Sequence, residues 1–239
     1  TEGISNTIVY EAITQTNQQI TISTYQYAAA LLNAVVQAQS KYNDRKALAD
    51  KMGYALVRGM ETTVSALFNA GFSQTVGTYG GDTDDSTVRR AWQYIADAGF
   101  ADDGDCSFVF SPGATASLFG QDRFASKDFV DGNAIEKAQL PAMYGFTAYR
   151  SNLLNSPNSG QHDSALFHRS AVILVRQVKP TAKTQYRIEY NADAMLMYDL
   201  YASAVAQQPN EAPTTASGGA GSSETETIGN YGAVQIKGI

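Results

Sequence analysis

The stretch "SPGATASLFGQDRF", Ser111 to Phe124, holds the residue types of a nucleophilic turn: a serine after the apolar run "CSFVF", then Asp122 beside Arg123. A Gly-x-Ser-x-Gly elbow needs a glycine two residues before the serine, and Val109 stands there. The local pattern instead predicts a helix start. Ser111 is placed to cap it, and Pro112 takes the first helical position, where its missing N–H costs nothing. Leu118 and Phe119 would face inward, and Gly120 would end the helix. Asp122 and Arg123 then read as a turn with an ion pair, at the surface or at a subunit contact.

Other chemistry-bearing residues fail in the same way. His162 and His168 are the only histidines, and no cysteine pair or acidic ligand motif accompanies them, which argues against zinc. Asp102, Asp103 and Asp105 lack the order and the distal glutamate of a calcium loop. "SGGAGSS" has no following Lys-Ser/Thr and no preceding strand, so it is not a phosphate loop. Cys106 follows "DDGD", an acidic setting that raises a thiol pKa rather than activating it, and it reads as a small strand residue. No nucleophile, base and orienting group can be assembled. Neither a catalytic residue, a cofactor site nor a metal site is assigned.

The chain has 239 residues, a net charge of −6 and 44% apolar residues, enough for one large or two small domains with a sizeable core. A pI of about 4.9 argues against binding nucleic acid through a basic surface. One cysteine excludes an internal disulfide and fits a reducing cytoplasm. No run approaches the roughly 18 apolar residues of a membrane span. The chain opens on Thr1 with no basic-then-apolar leader, so the expectation is a processed, trimmed or incomplete start.

Residues 1–40 carry only Glu2 and Glu11 as charges, and Ile20, Ile22, Tyr25 and Tyr27 alternate with polar residues. This predicts an extended ribbon with little core of its own, which needs a partner surface to be ordered. Leu48, Met52, Leu56 and Met60, at spacings of four, predict a long helix from Asn43 to Gly71. At ~1.5 Å per residue it would be a rod of roughly 40 Å. Gly53 and Gly59 weaken it unless they permit close packing. A second helix is expected with Val88, Ala91, Trp92, Ile95 and Ala98 on one face and Gly99 as its stop. Strands are expected after the acidic turn in "DDGDCSFVFS", at 144–150, 164–178 and 185–190, and in "YGAVQIKGI". Residues 193–206 are apolar all round, and periodicity leaves strand and helix open there. Residues 207–230 read as a low-complexity loop. Helices and strands mix without βαβ alternation, so the fold class is α+β.

The order of these features resembles the major capsid protein of tailed bacteriophages, the Hong Kong 97-type fold. The carrying pieces are "FVFSP" with "LFGQDRF", then "MYGFTAYRSNLL" and "ALFHRSAV". The resemblance runs from about residue 18 to the end. It implies an N-terminal arm and extended loop over 1–37 and a peripheral domain with its spine helix over 38–76. An axial domain would span 77–229, with 207–229 as an insertion, and a last peripheral strand over 230–239 would return beside the spine. Asp122, Arg123, Tyr25 and Tyr27 become candidate subunit contacts. The implied partners are further copies of the chain, as hexamers and pentamers of an icosahedral shell. Portal, scaffold and decoration proteins are candidate partners, and double-stranded DNA would be enclosed without sequence-specific binding. The implied location is the virion, assembled in the bacterial host cytoplasm with no membrane. An encapsulin-like nanocompartment shares the fold and is the alternative. A soluble α+β enzyme is the disfavoured third reading.

Some members of this family join subunits by an isopeptide bond from a lysine on the extended loop. Residues 1–40 hold no lysine, the first being Lys41. Intact shells run on a denaturing gel without reduction are therefore expected to give free monomer, and a ladder of covalent oligomers would contradict this.

Overall fold

The computed structural model describes residues 19–39, 44–101, 104–125, 140, 142–154, 161–206, 208–209, 228–229 and 232–238. Strand β1 (Thr24–Asn33) has alternate residues exposed along its whole length. The short helix α1 (Ala34–Gln39) leads from it to α2 (Asp44–Ala70), a rod of 27 residues. Met52, Leu56 and Phe68 are buried on one stripe of α2, while Tyr54 and Val57 face out. Gly59 is where the helix and β1 approach: a Cβ there would lie 2.6 Å from the Gln26 side-chain oxygen. The helix carries a weak helix former there, and the flexible end of the Gln26 side chain would have to move aside for a methyl group. Of the ribbon expected within residues 1–40, residues 24–33 form β1, ordered by a partner surface within the chain made of α2 and a neighbouring strand, while residues 34–39 are helical instead. Residues 1–18 lie outside the described residues.

Strand β2 (Gln74–Gly77) leads into α3 (Asp85–Asp97). Asp84 caps α3 by accepting from the Thr87 N–H at 2.8 Å, and Gly99, with φ 84°, turns the chain away after it. Val88, Ala91 and Ile95 are fully buried as expected. Trp92, expected on the same face, is 36% exposed; it sits at the stripe's edge and packs its ring on Tyr144 at 6.5 Å. Strand β3 (Cys106–Phe110) then enters the core, and helix α4 (Pro112–Phe119) follows it. The Ser111 side chain accepts from the Ala114 N–H at 3.0 Å, the helix cap that the residue types predict. A single turn, α5 (Asp122–Ala125), and strand β4 (Thr147–Arg150) come next.

The run expected as one strand over 164–178 is two. Strand β5 (His162–His168) ends at a 3₁₀ turn, Arg169–Ala171, and β6 (Val172–Arg187) starts a different sheet. The His168 side chain caps that turn by accepting from the Ser170 N–H, a polar stop that hydropathy does not reveal. The strand expected over 185–190 is the end of β6 followed by a second 3₁₀ turn, Ile188–Tyr190. Residues 193–206 resolve as strand β7 (Ala192–Val205), central in its sheet. Within the low-complexity stretch only β8 (Gln208–Pro209) and β9 (Ile228–Gly229) are described, paired with each other. Strand β10 (Ala233–Gly238) closes the described chain.

Two sheets organise these elements. One has the order β1-β7-β6, antiparallel throughout, with one face on α2. The other has the order β2-β10-β5-β3-β4 and packs on α3, with Phe108, Phe110, Leu118, Leu166, Val234 and Ile236 fully buried between them. The expected division at 77–229 cuts across this arrangement. Strands β6 and β7 join β1 and α2, because β7 needs hydrogen-bonding partners on both edges and β1 supplies one. Strand β10, expected beside the long helix, lies between β2 and β5. Its residues Ala233 to Ile236 are buried on both faces, which only an interior strand allows.

Ser111 is fully buried and holds the start of α4. Ser111→Ala is expected to lower unfolding free energy by about 1 kcal/mol or somewhat more, read by chemical denaturation. An unchanged midpoint would show that the cap contributes nothing.

Candidate contact surfaces

Asp85, at the first turn of α3, gathers the polar groups around the opening stretch. Arg123 Nη1 donates to its Oδ2 at 2.6 Å, Arg89 pairs with the same oxygen at 3.0 Å, and the Tyr144 hydroxyl donates to Oδ1. Gln121 adds two backbone bonds, accepting from the Asp85 N–H at 2.9 Å and donating to the Thr83 carbonyl at 3.3 Å. Arg123 is thus bound within its own chain, where it ties α5 to α3. Its partner is Asp85 and not the neighbouring Asp122, whose side chain lies outside the described residues. Tyr144 reaches Asp85 from a tight turn in which it adopts φ 52°, ahead of Gly145 at φ 84°. Burial acts to raise the Asp85 pKa, and the Tyr144 and Arg123 hydrogen bonds with the charges of Arg123 and Arg89 outweigh it. The carboxyl is therefore held below its ordinary value. Burial, and then the Asp85 carboxylate, push Tyr144 up to about 12.

Tyr25 and Tyr27 stand on the face of β1 that points away from α2, and they are 55% and 64% exposed. The Tyr25 ring lies 5.9 Å from Tyr27 and 6.1 Å from Tyr198 of β7. Lys183 of β6 places its ammonium over Tyr198 at 5.3 Å. This face is a flat aromatic sheet surface with a cation at its margin. The opposite face carries Asp199, which is buried and pairs with Arg176 at 3.2 Å, and Tyr201, whose hydroxyl lies 3.0 Å from the Thr63 hydroxyl of α2.

The sequence reading missed the end of this sheet. The turn Ile188–Tyr190 presents Tyr186, Ile188 and Tyr190 at 52%, 82% and 64% exposure. Apolar residues two apart in "YRIEY" suggested strand, and the following Asn191, which takes φ 44°, was the available turn signal.

The remaining candidates are packing groups. Cys106 is buried, with its thiol 3.1 Å from the Phe100 carbonyl oxygen. Asp163 is buried and accepts from Tyr79 at 2.5 Å and from Gln235 at 2.9 Å, which pins the turn after β2 to β5 and β10. Burial, then Asp163, push Tyr79 up to about 12. Asp102 and Asp103 lie outside the described residues. Among the described residues no group of three or more His, Cys, Asp or Glu is placed to hold a metal ion, and no helix is long and apolar enough to cross a membrane.

No protein-family model matches the sequence, and no curated protein matches it. Solved structures do match. A structure from Mycobacterium phage Che8 superposes with a TM-score of 0.72 at 16% identity, covering 96% of this chain and 76% of that one. The capsid of cyanophage P-SCSP1u gives 0.62 at 16% identity over 99% of this chain and 81% of that one. A virus-like particle from Pyrococcus furiosus gives 0.60 at 11% identity, over 94% and 79%. The fold is that of the Hong Kong 97-type capsid structures.

Asp85 gives the site a pH signature. A depressed carboxyl pKa stabilises the fold above its unfolded value, and that contribution is lost as pH falls through the lower folded value. The melting difference between wild type and Asp85→Asn is therefore expected to be largest near pH 7 and to shrink below the ordinary value of 3.8. Arg123→Ala should lower the melting temperature in wild type and have little further effect on Asp85→Asn; additive effects would show that the two do not interact.

Proposed function

We propose that this chain is a major capsid protein, which self-assembles into the icosahedral shell around the double-stranded DNA of a tailed phage. The observation that carries this reading is the likeness to phage capsid chains over nearly the whole chain, including both sheets and the long helix. In this reading α2 with the β1-β7-β6 sheet acts as the peripheral domain. The five-stranded sheet with α3 and α4 acts as the axial domain, which takes in β10 and ends at β5.

The mechanism is assembly. Copies meet through heterologous contacts that close into pentamers, hexamers and then a shell. Each contact can be weak, because a subunit held by many neighbours dissociates only when all of them release. The exposed aromatic face of Tyr25 and Tyr27 is a surface of the kind such contacts cover. The net charge of −6 keeps the genome from adhering to its container. The virion is then the protein's location, and portal, scaffold and decoration proteins are its further partners.

The likeness to the Pyrococcus furiosus particle favours a second reading, an encapsulin-like nanocompartment shell that encloses protein cargo. Particle contents separate the two: packaged DNA with a portal vertex, or an enzyme. The purified native protein, sized by light scattering and imaged in negative stain, is expected to give rings or closed shells. A monomer or small oligomer at every concentration would overturn both readings.

A further inference from the structure

The geometry points to a phosphate-binding cleft on the outward face of α3. Ser86, Arg89, Arg90, Gln93 and Tyr94 line a concavity of ≈ 330 Å³ there. Spacings of three and four put them on one face, while Val88, Ala91 and Ile95 hold the opposite face in the core. Each arginine is held by a contact that spares its terminal nitrogens. Arg89 meets Asp85 through Nε at 3.0 Å. Arg90 places its guanidinium over the Tyr94 ring at 5.9 Å, and among the described residues it has no ion-pair partner. Two guanidinium groups fixed beside one cleft present N–H forks that match the oxygens of a phosphate, and they lose little side-chain entropy on binding it. Gln93 and Tyr94 add an amide and a hydroxyl donor to the lining.

The carboxylates nearby are engaged or stand outside the cleft. Asp84 accepts from the Thr87 N–H at 2.8 Å, and from the Thr87 and Ser86 hydroxyls at 2.6 and 2.9 Å. Asp85 holds Arg89, Arg123 and Tyr144. Asp97, about one turn beyond Tyr94, does not line the cleft. The lining therefore has two cations and no anion, on a chain of net charge −6. An acidic chain repels phosphate at a distance, so capture depends on contact with these arginines. The volume falls in the range of small-molecule sites and exceeds what a bare phosphate fills. The ligand class is thus a diphosphate or a phosphate ester, either free or as the backbone of a nucleic acid.

Trp92 is the chain's one tryptophan, and it stands on α3 between Arg90 and Tyr94 in sequence, 36% exposed, so its fluorescence reports on the cleft. The full chain is titrated with sodium pyrophosphate and read by Trp92 emission. A fluorescein-labelled DNA duplex is titrated with the full chain and read by anisotropy. Wild type is expected to bind pyrophosphate saturably, and less tightly as salt rises. Arg90→Gln breaks no ion pair among the described residues and should weaken binding about tenfold. Arg89→Lys keeps a charge beside Asp85 but loses the fork, and it should weaken binding by a similar factor. Arg58→Gln, which removes an exposed arginine of α2, should bind as wild type does. DNA binding that falls with the same two α3 variants would assign the phosphate to a nucleic-acid backbone, and binding of pyrophosphate alone would assign it to a free phosphate. Wild type that saturates with neither probe would overturn the proposal. So would Arg90→Gln that titrates as wild type does, or a loss in Arg58→Gln as large as in Arg90→Gln, which would make the effect one of general charge. The assembly reading is tested by particle size and stands or falls independently of these titrations.

Discussion

One aromatic cluster holds the two sheets to the long helix. Phe68 at the end of α2 stacks on Phe72 at 5.3 Å and meets Phe167 of β5 at a tilt at 5.5 Å, and Phe72 and Phe167 lie 6.2 Å apart. Leu154, Ala165, Ala171 and Ala233 complete this core, and Val172 and Val205 bring in the first residue of β6 and the last of β7. Each ring buries a large apolar area, so a handful of residues can join elements that otherwise share few contacts. The chain crosses between sheets at the same place. The His168 N–H donates to the Gly232 carbonyl at 2.7 Å, the Arg169 N–H to Asp105 at 3.1 Å, and the Ala206 N–H to Ala171 at 2.8 Å. The backbone groups freed by the break in the strand are thereby satisfied.

Everything that extends from this joint is thinner than the part behind it. The five-stranded sheet has a closed core beneath α3 and α4. The three-stranded sheet has α2 on one side and an exposed face on the other, and β1 stays paired with β7 as far as Ala192, beside a tip whose β6 residues are exposed from Lys179 to Arg187. Two ion pairs anchor this thin part: buried Asp199 with half-buried Arg176 beneath the sheet, and Asp193 with the exposed Arg45 of α2 near its end. Both contribute position more than stability, since desolvation offsets much of the attraction in the first and solvent screens the second. A sheet that leaves Tyr25 and Tyr27 exposed on its uncovered face suits a molecule completed by its neighbours. That is the physical sense in which the fold and the proposed shell agree.

The elements carried mainly by local interactions were legible before the fold was known. The spacing of Met52 and Leu56 marks α2, the Ser111–Pro112 step marks α4, and Gly99 stops α3. Strands were less legible, because an apolar run says nothing about its neighbours. "HDSALFHRSAVILVRQV" looks continuous, and the break at His168 comes from a side-chain cap and a change of sheet. The Asp85 cluster was illegible for the same reason, since Arg123 and Tyr144 reach it across 38 and 59 residues.

By itself the sequence determined the α+β class, the long helix and the capped start of α4, because these depend on residue type and short-range spacing. Tertiary structure decided which sheet each strand joins, that Arg123 binds Asp85, that Trp92 sits at an edge, and that Ile188 stands exposed on an ordered tip. These depend on long-range strand pairing and on which face of each element another part of the chain covers. Local spacing carries no record of that choice.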